Sequence, residues 1–585
     1  PGGEELVNGN TVATLELESI TPLWPGGPLG GLTYKCKDIH NCIGPFLPDS
    51  KQLIGRLRWM LRAIEASIAL LRGKTPQKLG EVESLASRIF GSTSSASKLV
   101  VRVEFIYNPQ AVDYMDIRGL EGDLPTKFLE TAEIVGHSIL RKRLGLPESP
   151  RLPSDSKIKE YFNSNERWLM NNMPVLEGLY RLLTIPRVRL ALQAKKFKLA
   201  DLYSKLPLRP AFNLRIQLRR RLGASLSKAE AGLVETLIPY TLTFMGLGKA
   251  TTRGFGRFKL KRVEGGPENP QVEECIGKLR GAEPGSLHKA FKDCGCRLLE
   301  LVAEAAGYEG FECDGNLLDE YRLELEEVEG SKESGLSVGG AVDKLQGLGV
   351  PALLVAMANS VLIEELKHPC PYTLPELSAF GDQWPPGCLV GKRNVADVVD
   401  ALSAVGKVTL KSTWKYCHKK LKEPGPAYHT WVLGLPRYVK NKGGYLLARS
   451  AIRERCGIPL SKLLGGQPIT PRRLSPLIVT VACFDERCSA LLEPFITVTD
   501  FRDKLSKLIH VGKHGQLYHV ASVGYIATSS KLGSVKPCPD DKAGMAVASG
   551  CNVGMTMNLK TYTLPANVEL AAQLVALEWV RSLLS

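Results

Sequence analysis

The stretch Met245-Gly-Leu-Gly-Lys-Ala-Thr-Thr-Arg-Gly-Phe-Gly-Arg257 places Gly246, Gly248, Gly254 and Gly256 among Lys249, Arg253 and Arg257. Glycines let a backbone come close to a ligand, and successive amides can face phosphate oxygens while the cations add charge. Contact with a polyphosphate backbone is the chemistry this suits. A Walker loop needs Ser or Thr after Gly-Lys and a glycine five places before the second one, whereas Ala250 follows Lys249 and Thr243 holds the earlier place. A dinucleotide fingerprint fails as well, because Thr251 stands where its third glycine belongs. The plainer alternative is a glycine-rich connection between a helix and the last strand of a domain. Arg253 to Phe258 superficially resembles the first ribonucleoprotein motif, but Arg257 occupies an aromatic position. Phe255 either stacks on a base or anchors the loop in the core, and the sequence leaves both open.

The segment Ile54-Gly-Arg-Leu-Arg-Trp-Met-Leu-Arg62 supplies Arg56, with Arg58 and Arg62 one helical turn apart and Trp59 beside them. Guanidinium groups so spaced can hold phosphates bidentately, or their stems can cover the core from a solvated face. Further basic clusters run through Arg215–Arg221, Lys411–Lys422 with Trp414 and Tyr416 interleaved, and Arg437–Lys442. Cys36-x3-His40-x-Cys42 and Cys294-x-Cys296 lack the second knuckle of a zinc site, so no metal or other cofactor is expected. His40 could act as a general base in RNA cleavage, but a lone loop histidine is ordinarily solvated. Carboxylates are plentiful, and nothing in the sequence brings two together.

Alternation over Thr11–Ile20, Leu99–Tyr107, Phe212–Arg219 and Phe258–Val263 predicts strands. Leu53, Leu57, Leu61, Ile64 and Ile68 recur at the helical period, and Ser225–Gly246 opens like a capped helix around Ser227 and Glu230. The resulting β-α-β, β-α-β order is the split arrangement of ferredoxin-like domains. Gly265-Gly266-Pro267 marks a boundary, giving domains at 1–265 and 266–585, the second with a mostly helical insertion at about 271–400 that includes Ala352–Leu366. A strand at Pro476–Cys483 and a helix at Asn567–Leu584 close the chain. The 585 residues carry 76 Lys and Arg against 60 Asp and Glu, a net charge of +16 that suits a polyanionic partner. Fourteen scattered cysteines fit a reducing cytoplasm, and neither a membrane span nor a signal peptide is expected.

Ile20-Thr-Pro-Leu-Trp24, Ile54-Gly-Arg-Leu-Arg-Trp59, Phe90-Gly-Ser-Thr-Ser-Ser-Ala-Ser97 and Gly246–Gly256 occur in an order that resembles the repeat-associated mysterious protein (RAMP) superfamily. Within it the likeness is to the family of Cmr subunits numbered one, from type III-B CRISPR effectors. Leu433–Arg437 and Arg472–Pro476 add to it. The resemblance implies an α+β chain of two ferredoxin-like βαββαβ domains with helical insertions. It also implies a non-catalytic, cytoplasmic role in binding the 3′ region of a guide (CRISPR) RNA and helping to capture target RNA. Other Cmr subunits, those numbered four and six, are the implied protein partners. Carried over by motif, the RNA contacts are Arg56, Arg58, Trp59, Arg62, Gly246, Gly248, Lys249, Thr251, Arg253, Gly254, Phe255, Gly256 and Arg257. The rival expectation is a metal-independent RAMP endoribonuclease that processes guide precursors with His40 as base. A third is a scaffold whose basic faces bind acidic proteins.

Overall fold

A computed structural model describes residues 11–24, 49–73, 85–107, 181–191, 212–307, 311–328, 335–368, 393–409, 475–496 and 568–585, with internal breaks of one or two residues. It also describes the short strands at 123–124, 197–198, 444–447, 508–511 and 517–519. The first unit runs β1 (Thr11–Ser19), α1 (Ser50–Leu71), α2 (Leu85–Phe90), β2 (Leu99–Tyr107), β3 (Phe212–Arg220), α3 (Lys228–Phe244), β4 (Phe258–Gly265). Its strands lie in the order β2-β3-β1-β4 with every pair antiparallel, which is the ferredoxin-like arrangement.

Alternation decides which side of this sheet is covered. Ala13, Leu15 and Leu17 of β1 and Leu214, Ile216 and Leu218 of β3 are fully buried beneath the helices. On the other face Glu104, Arg215, Glu16 and Arg262 stand in register across the four strands, alternating in sign. Arg215 donates to Glu16 at 2.6 Å. That face neutralises itself and carries no aromatic platform among these positions.

Helix α1 buries Leu53, Leu57, Leu61, Ile64 and Ile68, and Asp49 caps it by accepting from the Gln52 amide at 2.9 Å. Helix α3 opens with the capping box expected at Ser227 and Glu230. Lys98 reaches Glu230 at 2.8 Å and ties that helix start to β2. Residues 230–244 are buried all round, because the sheet lies on one side of α3 and helices α4 (Pro270–Arg280) and α5 (Leu287–Ala305) on the other.

Disulfides join Cys275 on α4 to Cys294 on α5, and Cys296 on α5 to Cys313. Scattered thiols of a reducing compartment are what the sequence predicts; the six described cysteines are instead all paired, two pairs because α4 and α5 lie side by side with cysteines at alternate positions of α5, the third across the β-hairpin at Cys483 and Cys488.

Among its described residues, the stretch 271–400 is mainly helical as far as α6 (Gly315–Asp319) and mixed after it. A hairpin of β5 (Leu323–Val328) and β6 (Gly335–Gly340) follows, then α7 (Leu353–Ala358) and β7 (Val361–Ile363). Ala352–Leu366 is therefore not one helix. Asn359 ends it: its side chain donates to Val355 O at 2.9 Å and Tyr321 O at 3.0 Å and accepts from Leu323 N at 2.8 Å. With those backbone groups satisfied, Val361-Leu362-Ile363 turns into a strand.

Strand β7 begins a second unit that continues with α8 (Val398–Val408), β8 (Leu477–Phe484), β9 (Arg487–Pro494) and α9 (Val568–Leu584). Its sheet order is β8-β9-β7, the order of the first three strands of the ferredoxin-like pattern. Asp485 and Glu486, with φ of 45° and 62°, make the tight β8–β9 turn, and the adjoining cross-strand pair Cys483–Cys488 is a disulfide. Helices α8 and α9 pack on each other and on this sheet. No helix among the described residues is long and apolar enough to cross a membrane.

Buried Glu235 on α3 has its carboxyl pushed up to about 7 by burial and then by the charge of Glu273. In the folded chain it keeps its proton between the ordinary glutamate value of 4.5 and about 7, where the unfolded chain has released it. Its contribution is complete below that lower value and is lost as pH rises through the upper one. Thermal midpoints should therefore fall as pH is raised from about 5 to about 8, and Glu235→Gln should flatten the profile, as measured by calorimetry. Peptide mapping without reductant should recover the three linked cysteine pairs. Reduction should lower stability by about 3 kcal/mol for each of the two pairs on α5. Free thiols at these positions would contradict the pairing.

Candidate nucleic-acid interface

The glycine segment is zipped onto Ile20–Trp24. Ile20 N donates to Arg257 O at 2.9 Å, Arg257 N to Thr21 Oγ1 at 2.8 Å, Gly256 N to Pro22 O at 2.9 Å and Lys249 N to Trp24 O at 2.9 Å. Only glycine fits at two of its turns. Gly248 has φ +92° and a Cβ there would stand 2.5 Å from Trp24 O, while Gly256 has φ +65° and a Cβ would stand 1.9 Å from Leu247 O.

Helix α1 ties this loop to the rest of the domain. Arg56, half-buried and with its guanidinium pKa lowered by burial, donates to Gly248 O at 3.3 Å. Arg58 donates to Phe90 O at 2.9 Å and to Gly91 O, closing the C-terminus of α2. The four segments that carry the resemblance therefore meet around one helix. Arg58 serves mainly to cap α2, and Trp59 packs edge-on to Phe495 with ring centroids 5.0 Å apart.

What remains open to solvent is narrower than the sequence suggested. Lys51, Gly55 and Lys249 are exposed, Gly248 and Arg62 are half-buried, and Arg62 lies near Glu65. A Cβ at Gly55 would meet nothing within 4 Å, so the helix presents bare backbone there. Gly246 and Thr251 are buried in the loop's interior.

The second half of the loop is a correction. Arg253 is 1% exposed, Phe255 1% and Arg257 0%, and Gly254 and Gly256 are buried with them, so none of these presents a surface to a nucleic acid. Phe255 takes the core alternative, its ring 5.5 Å from that of Trp24. The two arginines point at β8, the edge strand of the second sheet among the described residues. Arg253 Nη1 donates to Leu477 O and Ser475 Oγ, each at 3.2 Å, and Arg257 Nη2 donates to Val479 O at 3.0 Å and Thr251 O at 2.8 Å. Carbonyls of alternate residues face the same edge, so the guanidinium groups stand where a further strand would pair.

Electrostatics there follows from burial. Burial lowers the Arg253 pKa, and the nearby charge of Arg187 lowers it further. Burial likewise lowers Arg257, against the attraction of Glu493, and burial raises Glu493 against the attraction of Arg257. Gly254 lets the chain pass this close: a Cβ there would sit 2.9 Å from Leu402 Cδ2 and 3.1 Å from Val481 Cγ2. Sequence reasoning missed this role because the strand that receives the arginines lies more than 200 residues away.

Of the other candidates, Cys294 and Cys296 are committed to disulfides. His40, Cys36, Cys42 and the clusters Lys411–Lys422 and Arg437–Lys442 lie outside the described residues.

Among solved structures, the chain resembles the cryo-EM structure of the Type III-B Cmr-beta bound to cognate target RNA, at 12% identity and a TM-score of 0.36, over 83% of this chain and 94% of that one. It also resembles the crystal structure of Cmr1 from Pyrococcus furiosus in its apo form, at 13% identity and a TM-score of 0.30, over 82% and 86%. Both likenesses are distant. No curated protein matches. A family model does: residues 16–259, from within β1 to the second residue of β4, match the RAMP superfamily, so the first ferredoxin-like domain and its glycine loop carry that superfamily's pattern.

Proposed function

We propose that the chain is a non-catalytic RNA-binding subunit of an RNA-guided type III-B effector, working in the cytoplasm at the 3′ region of the guide RNA and helping to capture target RNA. The Cmr subunits numbered four and six are its proposed neighbours. The observation that carries the reading is the Arg56–Gly248 hydrogen bond, which seats the loop bearing exposed Lys249 on α1, a helix that is itself exposed at Lys51 and at the bare backbone of Gly55. The excess of 16 positive charges and the superfamily match of the domain that bears this surface support it.

Such a surface neutralises phosphates and lets backbone approach backbone; it reads no base. Sequence choice then falls to pairing with the guide. The open sheet face is a poorer platform, since Glu104, Arg215, Glu16 and Arg262 alternate in sign across its middle.

Binding of unstructured single-stranded RNA should weaken with salt, with a slope of log affinity on log salt on the order of −2 for about three phosphates. Lys51→Ala and Lys249→Ala should each weaken binding about fivefold and make that slope shallower. Gly55→Ala separates stability from binding. Its methyl group meets nothing in the folded chain, so it should stabilise the helix by about 1 kcal/mol while reducing RNA affinity. Salt-independent affinity, or wild-type affinity in all three variants, would refute the assignment.

A further inference from the structure

The glycine segment performs two tasks with its two halves. Residues 248–250 reach the surface beside α1, while residues 251–257 are packed against the second unit. We propose that the second unit is a positioning element for the RNA surface: β8, by accepting from Arg253 and Arg257, fixes the loop so that Gly248 and Lys249 stay seated on Arg56. The proposal rests on the RNA-binding reading given above and goes beyond it, because it assigns a role in binding to residues that no RNA touches.

The geometry supports transmission over this short distance. Arg257 Nη2 bonds Thr251 O on its own loop and Val479 O on β8, so one guanidinium spans both units. Arg253 spans them as well, through Thr252 O at 3.1 Å and through Ser475 and Leu477. The residue before this turn, Ala250, is held at a left-handed φ of 57°, and it directly follows Lys249. A non-glycine residue keeps that conformation only where its surroundings impose it. Further contacts fasten the same two units, including Thr480 Oγ1 donating to Phe244 O at 2.9 Å and the Trp59 ring 5.0 Å from that of Phe495. The backing is therefore rigid, and a loosened Arg253–Arg257 turn would free the exposed half of the loop without separating the units.

A double-mutant cycle on the full chain tests this, with RNA affinity, its salt slope and the thermal midpoint measured for each variant. Arg257→Met should weaken RNA binding about fivefold and reproduce the shallower salt slope of Lys249→Ala. In the Lys249→Ala background it should weaken binding no further. Ser475→Ala keeps both charges, removes one acceptor from the far side, and should give the same pattern to a lesser degree; it carries the test if Arg257→Met does not fold. Latch variants that fold and bind RNA as the wild type does, or whose losses add fully to that of Lys249→Ala, would overturn the proposal. If Lys249→Ala itself leaves binding unchanged, the RNA surface has been misassigned, and the positioning role falls with it.

Discussion

Two guanidinium groups with almost no access to water fix the glycine turn of the first α+β unit against the second. Arg253 and Arg257 leave a glycine turn of the first unit and end on carbonyls along the edge of β8 in the second. Burying a cation is costly unless its donors are used, and a strand edge left unpaired in the interior is costly too. Each feature offsets part of the other's penalty, since Arg257 gives Nη2 to β8 while its buried Nε and Nη1 face the Glu493 charge without a hydrogen bond. An aliphatic side chain in either position would fill the space but leave the β8 carbonyls without donors.

This constraint divides the glycine segment into a surface part and an interior part. Basic residues in such a loop suggest a single phosphate-binding patch, but only Lys249 and the backbone around Gly248 reach solvent beside α1. The remainder shapes that patch from behind. Helices α4 and α5 cover α3 from the side opposite the sheet, while Lys51 and Gly55 of α1 and Lys249 of the loop stay exposed.

Much of the first unit could be read from its sequence. Alternation in Thr11–Ser19, Leu99–Tyr107 and Phe212–Arg220 marked the strands, the spacing of leucines marked α1, and Ser227 with Glu230 marked the start of α3. These signals are local. The break of the expected helix at Asn359 was hidden because it depends on backbone groups of Tyr321 and Leu323, well upstream. The pairing of Cys275 with Cys294 was hidden because it needs α4 laid against α5. For the candidate site, residue types pointed to the right segment but not to which arginines face water. Arg56 and Arg58 look alike in the sequence, yet one secures Gly248 and the other caps α2. Phe255 was legible as one of two alternatives, and contact with Trp24 decides for the core.

The claim that only one half of the glycine segment meets RNA is tested most directly by photocrosslinking RNA that carries 4-thiouridine to the full chain, followed by identification of the attached residues. Crosslinks should map to Lys51–Gly55 and Gly248–Lys249 and be absent from Arg253–Arg257. Attachment at Arg253, Phe255 or Arg257 would show that these side chains leave the interior to bind, and would contradict the account.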